Sequence, residues 1–190
     1  DGLDPRNWAA RPNRVEGLRK GLSGKGGVGR KALAETAAMD MTPQTLPGPT
    51  GESNRLALYP KGPVLCLGPT LDIAIAQAAQ ALGAGCPAVV VAPGARQAVQ
   101  PLSDAGAPVA ALEGSVEAET LTSLKGIEAV AAAGASDWTH ALRVALAKRD
   151  GAIVSLETQT VAPERYVVER HLCIDTTAAG GNASLLATAE

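Results

Sequence analysis

The chain has 190 residues, 46% of them hydrophobic and 19% charged, with a formal net charge of -2; that apolar fraction suffices for the core of one domain plus an appendage and excludes disorder throughout. The hydrophobic content is aliphatic, with 37 alanines, no Phe, and Trp8, Tyr59, Trp138 and Tyr166 as the aromatics, a poverty that argues against modules stacking bases on aromatic platforms. No apolar run nears the roughly 20 residues of a membrane span, and the three cysteines Cys66, Cys86 and Cys173 lack CxxC spacing, which argues against a disulfide framework and for a reducing, cytoplasmic compartment.

Residues 1–31 hold eight Lys/Arg against Asp1, Asp4 and Glu16, a local balance of +5 that leaves -7 to the remainder. Such an arm can meet phosphate or an anionic surface, yet no nucleic-acid motif accompanies it, so it is expected to be a poorly ordered or helical segment. The chain opens at Asp1 rather than Met and carries no secretory signal, which reads as a piece of a longer protein. Residues 32–41 (ALAETAAMDM) suit a short helix, and 42–55 (TPQTLPGPTGESNR) are so dense in Pro, Gly and Thr that no regular element is expected there.

Five apolar runs then read as strands, at 63–67, 88–92, 109–112, 127–132 and 152–156. They are continuous rather than alternating, as in parallel strands covered on both faces. Between the first two, LDIAIAQAAQALGAG places Leu71, Ile75, Ala78, Ala79 and Leu82 on one helical face and ends at Gly83 and Gly85. Between the last two, SDWTHALRVALAKRDG offers Ser136 as N-cap, a buried stripe of Trp138, Leu142, Ala145 and Leu146, and Gly151 as a stop. The intervening helices are less defined, since Pro101 interrupts one and TLTSL leaves the other short. The alternation predicts an α/β fold, a Rossmann-like doubly wound parallel sheet of about five strands. After it, 161–175 (VAPERYVVERHLCID) alternates as an exposed β-flap, and 176–190 is a small-residue tail uncharged until Glu190. The organisation is therefore an N-terminal segment at 1–55, a Rossmann-like domain at 56–157, a flap at 158–175 and a tail at 176–190.

Motifs that could carry chemistry are few. Gly24-Lys25-Gly26-Gly27-Val28-Gly29-Arg30-Lys31 satisfies GxGxxG and is similar to the KGGxGK[ST] loop of deviant Walker ATPases. A phosphate loop needs a buried strand before it, where this chain has EGLRKGLS, and Arg30-Lys31 stand where Lys and a magnesium-binding hydroxyl belong; a linker is the expectation. His171 and Cys173 share a strand face, two ligands where a structural zinc takes four. The turn after the first strand, Gly68-Pro69-Thr70, lacks the glycines of a dinucleotide fingerprint, and the second strand ends at VVVAPGA without an acid for a ribose hydroxyl.

Three stretches, LPGPTGESNRLALYPKGPVLCLGPT (46–70), KRDGAIVSLE (148–157) and VERHLCIDTTAAGGNASLLA (168–187), together resemble the C-terminal region of long-form proline utilization A proteins. In that family the region follows proline dehydrogenase and L-glutamate γ-semialdehyde dehydrogenase domains and is a non-catalytic relative of the aldehyde dehydrogenases. ALGAGCPAVVVAPGA (81–95) is similar to an aldehyde dehydrogenase helix-strand-turn in which a Lys and a Glu assist the cofactor's adenosine ribose; Ala92 and Ala95 stand at those positions. No counterpart of the catalytic domain with its nucleophilic Cys is present in the sequence, and neither Cys66 nor Cys86 lies in a suitable motif.

The resemblance implies no catalytic, cofactor or metal residue in this domain, with FAD and NAD bound elsewhere in the parent enzyme. Its implied partner is the aldehyde dehydrogenase domain of the same polypeptide or of a second subunit, with no nucleic acid and no transmembrane segment. The flap would present Tyr166, Val168, Glu169, Arg170, Leu172 and Ile174. The tail, Thr176, Thr177, Ala178, Ala179, Gly180, Gly181, Asn182, Ala183, Ser184 and Leu185, would dock as a lid over the dehydrogenase site and close the passage used by the Δ1-pyrroline-5-carboxylate/semialdehyde intermediate. Gly180 and Gly181 permit close backbone approach and Asn182 supplies amide hydrogen bonds. The alternatives are an independent NAD-binding dehydrogenase domain and a phosphate-loop nucleotide-binding module.

Overall fold

The computed structural model describes residues 5–24 and 27–175. In chain order the elements are α1 (Pro5–Ala9), α2 (Arg14–Gly21), α3 (Gly27–Ala37), β1 (Gln44–Leu46), β2 (Glu52–Pro60), β3 (Val64–Cys66), α4 (Leu71–Ala84), β4 (Ala88–Val91), α5 (Ala95–Asp104), β5 (Val109–Leu112), a 3-10 turn (Ala118–Thr122), β6 (Ala129–Ala131), α6 (Ser136–Ala147), β7 (Ser155–Glu157), a second 3-10 turn (Pro163–Tyr166) and β8 (Val167–Asp175). They form two compact units, one of residues up to 39 together with 60–167, the other of 40–59 with the chain from 168 onward.

The first unit is built on a five-stranded sheet ordered β5-β4-β3-β6-β7, with every neighbouring pair parallel. This is the expected doubly wound α/β arrangement, reversing direction between β3 and β6. Successive strand residues face opposite layers. Val64, Cys66, Ala88 and Val90 join a core with α2, α3, α4 and α5, whereas Leu65, Leu67, Val91 and Val130 join one with α6 and Leu121. The expected strands are thus present: β5 matches its run, β3, β4 and β6 lie within theirs, and β7 begins three residues after 152 and ends at Glu157, one residue beyond its run.

The largest departure concerns the N-terminal segment. Of the two states anticipated for it, the helical one holds at 5–9, 14–21 and 27–37, and these helices belong to the core rather than to a solvated linker: Trp8, Leu18, Leu22 and Leu33 are buried. Their basic residues Arg19, Lys20, Arg30 and Lys31 face solvent while the sparse apolar ones face inward, a stripe too short and Gly-broken to stand out in sequence. α3 packs along α4, so α4 is not the one-sided amphipathic helix expected; every residue from Ala74 to Ala84 is buried. Gly83 makes the approach possible, because a Cβ there would stand 3.0 Å from both Leu33 Cδ1 and Thr36 Cγ2.

The end of α4 is satisfied from the same direction. Its last turn leaves carbonyls without helical partners; Trp8 Nε1 donates to Leu82 O at 2.9 Å and Arg14 Nε to Gly83 O at 3.1 Å. Gly85, at φ 97°, closes the helix in the left-handed conformation. Within α4, the Gln77 amide oxygen accepts from Gly68 N at 2.9 Å, and Gln80 donates to Thr160 O at 2.8 Å and accepts from Ala162 N at 2.7 Å. Two polar side chains are therefore buried as links to loops, where a sequence reading sees only breaks in an apolar helix.

Other local expectations are corrected. Ser136 is the first residue of α6 rather than its cap, Ala135 taking that position with no side-chain bond, and Trp138 is only half-buried. α5 continues through Pro101 for one further turn, and the segment after β5 is 3-10 instead of α-helical.

The second unit is a three-stranded sheet ordered β1-β2-β8. β1 and β2 pair antiparallel with Gln44 opposite Leu56 and Leu46 opposite Asn54, so the 42–55 stretch is not devoid of regular structure. Its prolines fall outside the paired residues: Pro43 precedes β1, Pro47 and Pro49 lie in the turn, and Gly51 at φ 95° supplies the left-handed residue before β2. β8, the expected flap, is the third strand of this sheet. No helix among the described residues is long and apolar enough to cross a membrane.

If the N-terminal helices are core, truncating Trp8 should cost as much as truncating a central residue. Trp8→Ala is expected to lose about 3–5 kcal/mol of unfolding free energy in urea. A change below about 0.5 kcal/mol, as at an exposed site, would contradict that packing.

Candidate functional site

In an open parallel sheet the natural ligand position is the crevice beyond the carboxyl ends of the strands, at the point where strand order reverses. Here that crevice is a cleft of about 390 Å³, formed by Leu67–Leu71 after β3, Val91–Pro93 after β4, Gly114–Val116 after β5, and Ala135 and Trp138 at the start of α6. None of these lining residues is charged.

Several amides around the crevice are already engaged. Gly68 N donates to the buried Gln77 amide oxygen, and Thr70 Oγ1 accepts from Ile73 N at 3.4 Å as the cap of α4. Gly68 spends its conformational freedom on the turn itself: at φ +46°, a Cβ on it would meet Thr70 O at 2.5 Å and Ala74 N at 2.6 Å. At the start of α5, Glu113 accepts from Gly94 N at 2.7 Å and from Arg96 N at 3.0 Å. Those two amides hold its carboxyl below the ordinary glutamate range. A carboxylate thus occupies a helix N-terminus that a phosphate would use. Ala92 and Ala95 are buried in the core, leaving no polar group there for a ribose. The amides of Gly68, Ile73, Gly94 and Arg96 are thus bonded within the domain, and the side chains at 92 and 95 offer a dinucleotide no polar group. Glu113 escaped the sequence reading because its partners lie 19 and 17 residues away and no local pattern links them.

The cysteines offer no nucleophile in this cleft. Cys66 and Cys86 are fully buried, and burial pushes both thiols up, away from the thiolate a nucleophile requires. Cys86 Sγ donates to Tyr166 O at 3.1 Å. Tyr166, expected on the flap, is instead a core residue with 1% exposure, its phenol pushed up chiefly by burial; the 3-10 turn that precedes β8 carries it inward. Nearby, Glu157 lies 3.7 Å from Lys61 Nζ and 3.8 Å from Arg165 Nε, and Lys61 also donates to Ser155 Oγ at 3.1 Å. This polar cluster, invisible at such sequence separations, ties β7 to the approach of β3.

On β8, Val168 is half-buried and Glu169, Arg170, Leu172 and Ile174 are exposed. The Arg170 guanidinium lies 5.0 Å from the centre of the Tyr59 ring, a cation-π contact across the sheet. His171 and Cys173 are both exposed, and the described residues contain no group of three His, Cys, Asp or Glu able to hold a metal. The expected lid, Thr176 to Leu185, lies outside the described residues. In the Gly24–Lys31 motif, Lys25 and Gly26 also lie outside them. The element before it is the helix α2, not a strand, and Gly29 is packed beside Ile75 and Leu22 in α3, so the delivery geometry of a phosphate loop is absent there.

No family model matches the sequence. Among curated proteins, the bifunctional protein PutA of Escherichia coli (strain K12) is 39% identical over 153 residues, spanning 76% of this chain. That of Salmonella typhimurium is 37% identical over 150 residues, again 76% of the chain. The chain is a PutA-related domain. It spans 11% of the length of each of these relatives. Two solved PutA structures agree: a Bradyrhizobium japonicum proline utilization A variant at TM-score 0.66 and 25% identity, and a bifunctional proline utilization A protein at 0.66 and 26%, each covering 80% of this chain and 20% of its own. An aldehyde dehydrogenase from Brucella melitensis biovar abortus 2308 shares the fold at TM-score 0.63 and 21% identity, covering 83% of this chain and 41% of its own. The PutA-related domain therefore shares its fold with an aldehyde dehydrogenase.

The Glu113 clamp has a pH signature. Its folded pKa is depressed from the usual 4.5, so the stabilisation is complete above that value and lost as pH falls through the lower folded one. Glu113→Gln should therefore lower stability near neutral pH, with the difference from the unsubstituted chain shrinking on acidification in pH-resolved denaturation. A difference independent of pH would contradict the clamp.

Proposed function

We propose that this PutA-related domain is a non-catalytic auxiliary part of a bifunctional proline dehydrogenase and L-glutamate γ-semialdehyde dehydrogenase, working in the catabolism of proline to glutamate in the cytoplasm. FAD and NAD are held by other domains of that enzyme, and this one binds neither nucleotide nor nucleic acid. It packs on the aldehyde dehydrogenase domain of the same polypeptide or of a second subunit. Thr176–Leu185 lies over the dehydrogenase site as a lid, and β8 presents Leu172 and Ile174 to the partner.

The observation that carries this reading is the pairing of PutA kinship with a crevice whose amide donors are consumed internally by Gln77, Thr70 and Glu113. An active dehydrogenase keeps such donors free for its cofactor. The exposed apolar residues of β8, Leu172 and Ile174, support a surface that a neighbour covers. The runner-up, an independent NAD-binding dehydrogenase domain, draws on the fold alone.

Deleting residues 176–190 from the full-length parent enzyme should lower semialdehyde dehydrogenase activity and introduce a lag in NADH formation from proline, with proline oxidation intact. An unchanged coupled time course would overturn the lid. Calorimetric titration of the 190-residue chain with NAD separates the alternatives: no saturable heat is expected, whereas a Kd tighter than about 1 mM would favour the dehydrogenase reading.

A further inference from the structure

Arg143 and Arg149 are among the arginines that take no part in the ion pairing of the described residues. Arg19, Lys61, Lys148 and Arg165 each approach a carboxylate; Arg143 and Arg149 have no ion-pair partner among the described residues. Arg149 is held by one arm only, Nη1 donating to Leu121 O, and its Nε is buried without any hydrogen-bond partner. A buried donor left unmade is costly unless something completes it. Arg143 and Arg149 both line one hollow of about 480 Å³ between the end of α6 and the approach to β7, whose other walls include Leu146, Val154, Leu156 and Ile153. Ile153 is 95% exposed, so the rim of the hollow includes an isoleucine open to solvent.

From this geometry we propose that the hollow is a binding site for a monocarboxylate carried on a short apolar body. A planar guanidinium matches a carboxylate through parallel N–H donors, with the charge strengthening each bond. The aliphatic wall takes the body of the ligand, and a volume of this size lies within the range of small-molecule sites. The single charge follows from the surroundings. The site sits at the C-terminal, electronegative end of α6, and Lys148 beside it is engaged 3.4 Å from Glu119, so Arg143 and Arg149 supply the positive charge of the lining against an opposing helix end. A strongly hydrated multivalent anion finds neither enough free cations nor a polar wall. This site is separate from the cleft beyond β3 and β4, and it stands whether or not the domain acts as a lid.

The test uses the 190-residue chain and hexanoate as probe, with hexan-1-ol, acetate and inorganic phosphate as comparisons, followed by calorimetry. Hexanoate is expected to saturate with a Kd of about 1 mM or tighter, and the three comparisons to bind at least about tenfold more weakly. Arg149→Met and Arg143→Gln should each weaken hexanoate about tenfold. Because Arg149 also anchors Leu121, Arg143→Gln is the arm that leaves the hydrogen bonds of the fold untouched; its thermal unfolding should match the unsubstituted chain. The proposal is overturned if hexanoate shows no saturation, if hexan-1-ol or phosphate equals it, or if Arg143→Gln binds it undiminished.

Discussion

Helix α4 is enclosed on every side, and the rest of the parallel-sheet unit is arranged around that fact. One side lies on the sheet through Ala74, Ala78 and Leu82, the opposite side is covered by α3 at the Gly83 contact, and its last carbonyls are taken by Trp8 and Arg14. A helix so placed can carry no unsatisfied polar group without penalty. Gln80 is bonded through both ends of its amide, to Thr160 O and Ala162 N, and Gln77 through its oxygen to Gly68 N in the β3–α4 turn, its Nε2 being left buried without a partner. The same helix thus fixes the N-terminal helices, the crevice and the chain leading to Tyr166.

This arrangement also draws amides at two helix starts of the dinucleotide-type fold into bonds within the domain. Gln77 holds the turn that would otherwise present a free amide to phosphate, and Glu113 closes the second helix start with a negative charge. Both interactions stabilise the scaffold by consuming the donors a cofactor needs.

Strand periodicity and turn glycines carried most of the sheet, since buried parallel strands announce themselves as aliphatic runs bounded by Gly and Pro, as at Val64–Cys66 and Ala88–Val91. The β-flap was legible from its alternation, and the family from three stretches of residues. Three things were not legible. The N-terminal helices expose most of their charges and bury only a few side chains, so Trp8, Leu18 and Leu33 look isolated in sequence. β1 and β2 owe their order to pairing, a non-local interaction that overrides a composition rich in Pro and Gly. The Glu113 clamp and the Lys61–Glu157–Arg165 cluster join residues far apart in the chain, where no spacing rule reaches.

The enclosure of α4 is tested most directly by native-state hydrogen exchange of the 190-residue chain, comparing the amide of Leu33 in α3 with that of Leu82 in α4. The account predicts that both exchange only through global unfolding, with the same free energy and the same dependence on denaturant. Exchange of Leu33 through a low-energy local opening, while Leu82 remained protected, would contradict it.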